Sequence, residues 1–136
     1  MKKLKTLDGM EYSWKKGKEK GQGSISSLHK HVRDILQEEF PILSYMEEVP
    51  ILVKRRKTLY FDFYIPLFNL AIEVHGEQHY QFSSFFHKTI DRFIEYRKND
   101  FLKIEFCEHN DISILELKYD DREQWRNAIV SKIKKT

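Results

Sequence analysis

Two carboxylates and two imidazoles, Asp62, Glu73, His75 and His79, fall within one short and otherwise largely apolar stretch. Asp62 is the only charge in Leu59–Ile65, and Glu73 is the only charge in Leu70–Val74. A carboxylate in a mostly buried strand must be paired, protonated or bound to a cation, because uncompensated burial is costly. Two that converge repel each other unless a divalent ion lies between them. Magnesium suits such a site, being a hard cation that takes oxygen ligands and keeps waters for chemistry, and manganese can substitute for it. The competing reading puts both acids on the solvent face of a half-exposed sheet, but strict polar–apolar alternation fails in both segments. His75 follows Glu73 by two, so the two share one side of a strand, and His79 comes just past Gly76, where the chain can bend back. An imidazole near neutrality can accept a proton from water and return one to a leaving oxygen. Taken singly, each histidine also fits a structural role, as His87 and His109 do. A zinc site from His75, His79, Cys107 and His109 stays open, although its spacing matches no tight zinc pattern.

Positioning these groups falls to a small set of elements. The serine cluster from Ser24 can cap a helix whose stripe is Ile25, Leu28, Val32, Ile35 and Leu36, running to about Glu39. Phe40-Pro41 then closes it. Three antiparallel strands follow, at Glu48–Val53, Leu59–Ile65 and Leu70–His75, rich in aromatic and β-branched residues. A long helix fits from about Phe85 to Cys107, with Ile90, Phe93, Ile94, Phe101 and Ile104 in a buried arc and Asp100 at its edge, partly inward. Ile112–Leu117 reads as a fourth strand, and Asp121–Gln124 caps a last helix carrying Trp125, Ile129 and Ile133. The order is αβββαβα, an α/β (α+β) class with a mixed sheet flanked by helices.

Composition bounds the rest. The 136 residues, 40% apolar, suit a single domain over residues 24–136, preceded by a flexible basic arm over residues 1–23 with seven lysines against three acids. The arm reads equally as a solubilising tail. Lys and Arg number 24 against 21 Asp and Glu, so the net charge of +3 says little about a polyanionic partner. The cluster Lys54, Arg55, Arg56 and Lys57 says more, with Lys132, Lys134 and Lys135 behind it. No apolar run approaches a membrane span and no signal peptide is evident, while the single Cys107 fits a reducing compartment, so a cytoplasmic location is expected.

Asp62, ten residues, then Glu73-Val74-His75 resembles the Asp…Glu-x-Lys signature of the PD-(D/E)xK nuclease superfamily, with histidine where lysine is usual. Phe61–Pro66, Ile72–His79 and the later Asn99-Asp100…Lys103 are similar to the branch holding the very short patch repair endonucleases and the phage homing nucleases called EDxHD. The resemblance covers residues 24–118. It implies a restriction-endonuclease-like fold, DNA as partner, Mg2+-dependent hydrolysis, and a bacterial or phage-infected cell. It implies further that Asp62 is the central metal ligand, that the Val74 carbonyl is a second, and that Glu73 lies beside them. His75 then takes the usual lysine position, His79 is the water-activating base, and Asp100 orients a histidine or a metal-bound water. Lys103 joins the basic cluster on DNA. His29 stands where the branch carries a first-helix acid, leaving Glu47 or Glu48 to supply the carboxylate, or a weakened copy. A nuclease-fold binding or assembly module without catalysis is the alternative. Target specificity would then come from a partner protein or a fused module, and the oligomeric state stays undecided.

Overall fold

The structure, a computed structural model, describes residues 3–77, 80, 82 and 88–135. It is a mixed α/β arrangement. Three short strands come first, β1 (Leu4–Lys5), β2 (Glu11–Tyr12) and β3 (Lys18–Glu19), followed by α1 (Ser27–Glu39). Then come β4 (Met46–Lys54), β5 (Lys57–Ile65), β6 (Leu70–His75), α2 (Ile90–His109), β7 (Ser113–Lys118) and α3 (Trp125–Lys134). The main sheet has the order β3-β4-β5-β6-β7, antiparallel throughout except for the parallel pair β6–β7. A parallel neighbour requires a crossover, and α2 provides it. Expected strands and helices are all present, in the expected order.

Both faces of the sheet are covered, which explains the failed alternation. On one face Phe63, Ile65, Leu70 and Ile72 pack against Val32, Ile35 and Leu36 of α1 and Trp125, Ile129 and Ile133 of α3. On the other, Val49, Ile51, Val53, Phe61 and Ala71 pack against Phe106 and Cys107 of α2. The two faces exchange partners within single strands. Glu47 and Val49 are two apart yet serve opposite faces, as do Phe61 and Phe63. Between them the β4–β5 register passes from Glu47↔Phe63 to Val49↔Phe61, and Glu48 adopts the left-handed φ of 49°. That conformation is strained for a residue with a Cβ, and it turns the side-chain alternation over beside Asp62.

Four expectations change. The basic segment is not a free arm: Leu4 and Thr6 are buried, the Tyr12 hydroxyl accepts the Leu52 N–H at 2.8 Å, and β3 extends the main sheet along β4. Its sparse apolar residues suffice because Leu4, Tyr12 and Trp14 reach the core against the sheet. Ile25 precedes α1 and is exposed, with the Ser26 hydroxyl as N-cap accepting the His29 N–H at 3.2 Å. Helix α2 starts at Ile90, capped by the Thr89 hydroxyl, and the expected start at Phe85 lies outside the described residues. The last helix is entered through a 3-10 turn, Tyr119–Gln124, with no side-chain cap from Gln124.

Helix α2 is also turned about its axis relative to expectation. Ile90, Ile94 and Phe101 are exposed, while Asp100, Lys103, Phe106 and Cys107 face the sheet. At 100° per residue the inward face lies roughly a third of a turn from the expected apolar arc. Polar partners on the sheet decide the orientation. Among the described residues no helix is long and apolar enough to cross a membrane.

Candidate active site

The β5–β6 ladder runs Ile65↔Leu70, Tyr64↔Ala71 and Phe63↔Ile72. Immediately beyond it two side chains replace backbone partners. The Asp62 N–H donates to Glu73 Oε2 at 2.8 Å, and the Val74 N–H donates to Asp62 Oδ2 at 2.8 Å. Each carboxylate thus reaches across to the other strand's main chain, holding two acids side by side. Glu73 is nearly inaccessible, and its Oε1 accepts from the Lys103 ammonium at 2.6 Å.

One lysine between two acids leaves the group short of positive charge. Burial, and then the Glu73 charge, push the Asp62 carboxyl up to about 8, against the pull of Lys103 and the Val74 N–H. Burial pulls the Lys103 ammonium down, but the charges of Glu73 and Asp62 outweigh it and hold it above its ordinary value. Burial and the Glu73 charge thus favour the protonated form of Asp62, in the place where a cation would serve as well. These oxygen donors suit a hard divalent ion: Asp62 and Glu73, with the Val74 carbonyl near them in sequence, are the residues to hold it. Among the described residues, no three His, Cys, Asp or Glu side chains form a ready-made metal-binding group.

His75 ends β6 and is buried, with Nδ1 3.8 Å from Asp100 Oδ2 and Nε2 3.3 Å from Glu116 Oε2. Asp100, expected to orient a histidine or a metal-bound water, lies beside His75. Glu116 was not foreseen. Its signal lay in Leu115-Glu116-Leu117, another lone acid in an apolar strand, and the parallel register sets it opposite Glu73. His79 and His87 lie outside the described residues.

A cleft of about 520 Å3 gathers these groups. Asp62, Glu73, Val74, His75 and Lys103 line it, together with Ser24, Ser26, Ser27, Leu28 and His29 from the segment leading into α1 and its first turn. Lys103 therefore belongs to the site's interior, paired with Glu73, rather than to an outer basic surface. His29 stacks on Phe63 with centroids 4.2 Å apart, and its Nε2 lies 2.7 Å from Glu47 Oε1. Glu47 is fully buried and also accepts from Arg33 Nη2 at 2.7 Å, Arg33 Nε at 3.1 Å and the Gly21 N–H. Burial raises the Glu47 carboxyl, yet the Arg33, Gly21 and His29 hydrogen bonds together bring it below its ordinary value. Neither Glu47 nor Glu48 supplies a carboxylate to the cleft: Glu47 sits behind His29, and Glu48 is paired with Lys18.

Lys54, Arg55, Arg56 and Lys57 form the β4–β5 turn, as expected, with Lys57 bonded to Glu95 at 2.8 Å. At about 3.3 Å per residue, that turn lies roughly 17 Å along β5 from Asp62. The zinc alternative draws no support from its sulfur ligand. Cys107 is buried against the sheet, and burial pushes its thiol up to about 12, which disfavours the thiolate that zinc requires.

Fold and site together define a mixed α/β domain with an acid- and histidine-lined cleft. The chain is similar to two viral proteins, Uncharacterized protein 307L of Invertebrate iridescent virus 6 and Uncharacterized protein 033L of Invertebrate iridescent virus 3. They are 36% and 33% identical to it over 61 residues, or 45% of this chain. The chain's match spans about a third of their length, 31% of each. No protein-family model and no solved structure matches the chain.

Proposed function

We propose that this chain is a metal-dependent DNA endonuclease acting in the cytoplasm. The observation that carries the reading is the Asp62–Glu73 pair: two acids placed side by side at the end of a strand ladder, with the Lys103 ammonium on Glu73. A fold selected for stability alone has little reason to keep such a pair, since apolar residues of similar volume hold two strands together at lower cost. Magnesium, or manganese in its place, would neutralise phosphate charge there and make a bound water easier to deprotonate.

The reading gives tasks to several residues of the chain. Asp62, fixed by the Val74 N–H, and Glu73 present the oxygen donors. The Lys103 ammonium lies within the same cleft, where it can shift from Glu73 to a phosphate oxygen. Asp100 and Glu116 flank the His75 ring, and His79 remains the assigned proton acceptor for water. Lys54, Arg55 and Arg56 hold phosphates away from the reacting bond, adding affinity without sequence choice.

One observation favours a second reading, a nuclease-fold DNA-binding module without catalysis: the first-helix position is His29, and its partner Glu47 is fully engaged. Plasmid nicking with Mg2+ or Mn2+ separates the two. The endonuclease reading expects divalent-dependent nicking that Asp62→Ala reduces by more than about a thousandfold, the scale of lost metal assistance, with DNA affinity kept. DNA binding without nicking in either metal would establish the module instead.

A further inference from the structure

The cleft carries a second histidine–carboxylate pair to which endonuclease chemistry has so far given no task. His29 is only 4% exposed and Glu47 is 0% exposed, yet His29 forms part of the cleft lining with Asp62 and Glu73. Glu47 is held from behind by two Arg33 nitrogens and the Gly21 N–H, so it stays an anion and can only accept. The His29 Nε2 must therefore carry a proton toward it, which fixes the ring's tautomer and leaves Nδ1 as the nitrogen that gains and loses a proton. Stacking on Phe63 fixes the ring plane. A purely structural role for this pair would tie α1 to the sheet, but it would not require the imidazole to border the cleft.

We propose that His29, seated on Glu47, is the general acid of this site, protonating the oxygen that leaves phosphorus. The inference rests on the endonuclease reading and deepens it. In-line displacement puts the attacking and leaving oxygens on opposite sides of phosphorus. The acids and His75 line the cleft from β5 and β6, and His29 lines it from α1. A water oxygen bonds to phosphorus as the phosphorus–oxygen ester bond breaks. The electron pair of that bond stays on the leaving oxygen, which takes the Nδ1 proton of the His29 imidazolium. The ring ends neutral, with Nε2–H still on Glu47, and solvent returns a proton to Nδ1. The proton of the attacking water goes to the site's general base.

The test compares two substrates at the bond the wild type cuts: the ordinary phosphodiester, and the same DNA with sulfur replacing the leaving oxygen. A thiolate leaves without a proton, so it has no use for an acid. The variant is His29→Gln, whose amide still offers Glu47 an N–H but cannot transfer a proton. In single-turnover cleavage it should be slower on the ordinary substrate by roughly a hundredfold to ten-thousandfold, the worth of a general acid, and near wild type on the sulfur substrate. Glu47→Gln should show the same selective loss, smaller in size, and serves should His29→Gln fail to match the wild-type thermal unfolding. Equal losses on both substrates in a folded variant, or no loss on the ordinary one, overturn the assignment. Wild-type protein that cuts neither substrate in Mg2+ or Mn2+ overturns the endonuclease reading itself.

Discussion

Replacing Asp62 by Asn should flatten the pH dependence of folding stability. In the folded chain the Asp62 carboxyl is raised to about 8, by burial first and by the Glu73 charge second, from an ordinary value of 3.8. Its folded value lies above its unfolded one, so between the two the folded state holds a proton that the unfolded state lacks. The stability this contributes is fully present below about pH 4 and is lost as pH rises toward 8. One proton of difference corresponds to about 1.4 kcal/mol per pH unit, so from pH 5 to pH 7 this group alone removes up to about 3 kcal/mol. Asn keeps an oxygen for the Val74 N–H but has no charge to gain. Urea unfolding of wild type and Asp62→Asn in EDTA, at pH 5, 6 and 7, measures the difference directly. The gap between the two curves should change by that amount, in favour of the variant as pH rises. Parallel curves would mean that Asp62 is ionised in the folded chain without any cation, so that its proton does not stand in for one. Magnesium at about 100 times its dissociation constant should then restore about 2.7 kcal/mol to the wild type at pH 7 and nothing to the variant.

Three further outcomes follow from the same geometry. Lys103→Met leaves the Glu73 carboxylate, 3% exposed, without its ammonium, and should cost about 3–5 kcal/mol in denaturant unfolding at neutral pH; a loss below about 1 kcal/mol would mean the pair is solvated. Gly23→Ala puts a methyl group against the Glu47 carboxylate and its Cβ, and should cost about 1–3 kcal/mol by overpacking, read as a lowered Tm; an unchanged Tm would dislodge Glu47 from its assigned place. Neutralising Lys54, Arg55 and Arg56 should reduce the log–log salt slope of duplex binding by about 0.9 for each phosphate they no longer neutralise, with Lys57 adding less because Glu95 already holds it; an unchanged slope would make the turn plain solvated surface.

The strands are legible because apolar and β-branched runs at Leu59–Ile65 and Leu70–His75 leave few alternatives, and the lone acids within them mark the site for the same reason. Glu116 obeys that rule too, and becomes visible only when the parallel register sets it opposite Glu73. Helix α2 departs from expectation because apolar spacing takes no account of its polar partners. Asp100, Lys103 and Cys107 stand at i, i+3 and i+7, a stripe as regular as the apolar one, and His75 and Glu73 on the sheet attract the first two. The N-terminal segment escapes a reading by periodicity because its structure comes from single long-range contacts, such as Tyr12 to Leu52, which leave no periodic trace. His29 stands out in the sequence only as a departure from a pattern, since its partner Glu47 is eighteen residues away.

The parallel pairing of β6 with β7 has a kinetic consequence. The β4–β5–β6 meander is built from neighbours in sequence and can close early, whereas β7 can pair only after the whole of α2 has crossed the sheet. Until that crossing, Asp62 and Glu73 are brought together with no ammonium beside them, because Lys103 arrives with α2. The early hairpin therefore resists closure when both acids are charged, and refolding should be faster at mildly acidic pH than at neutral pH. Lys103 would act in this sense as a latch on assembly, closing the sheet at the step that also completes the cleft.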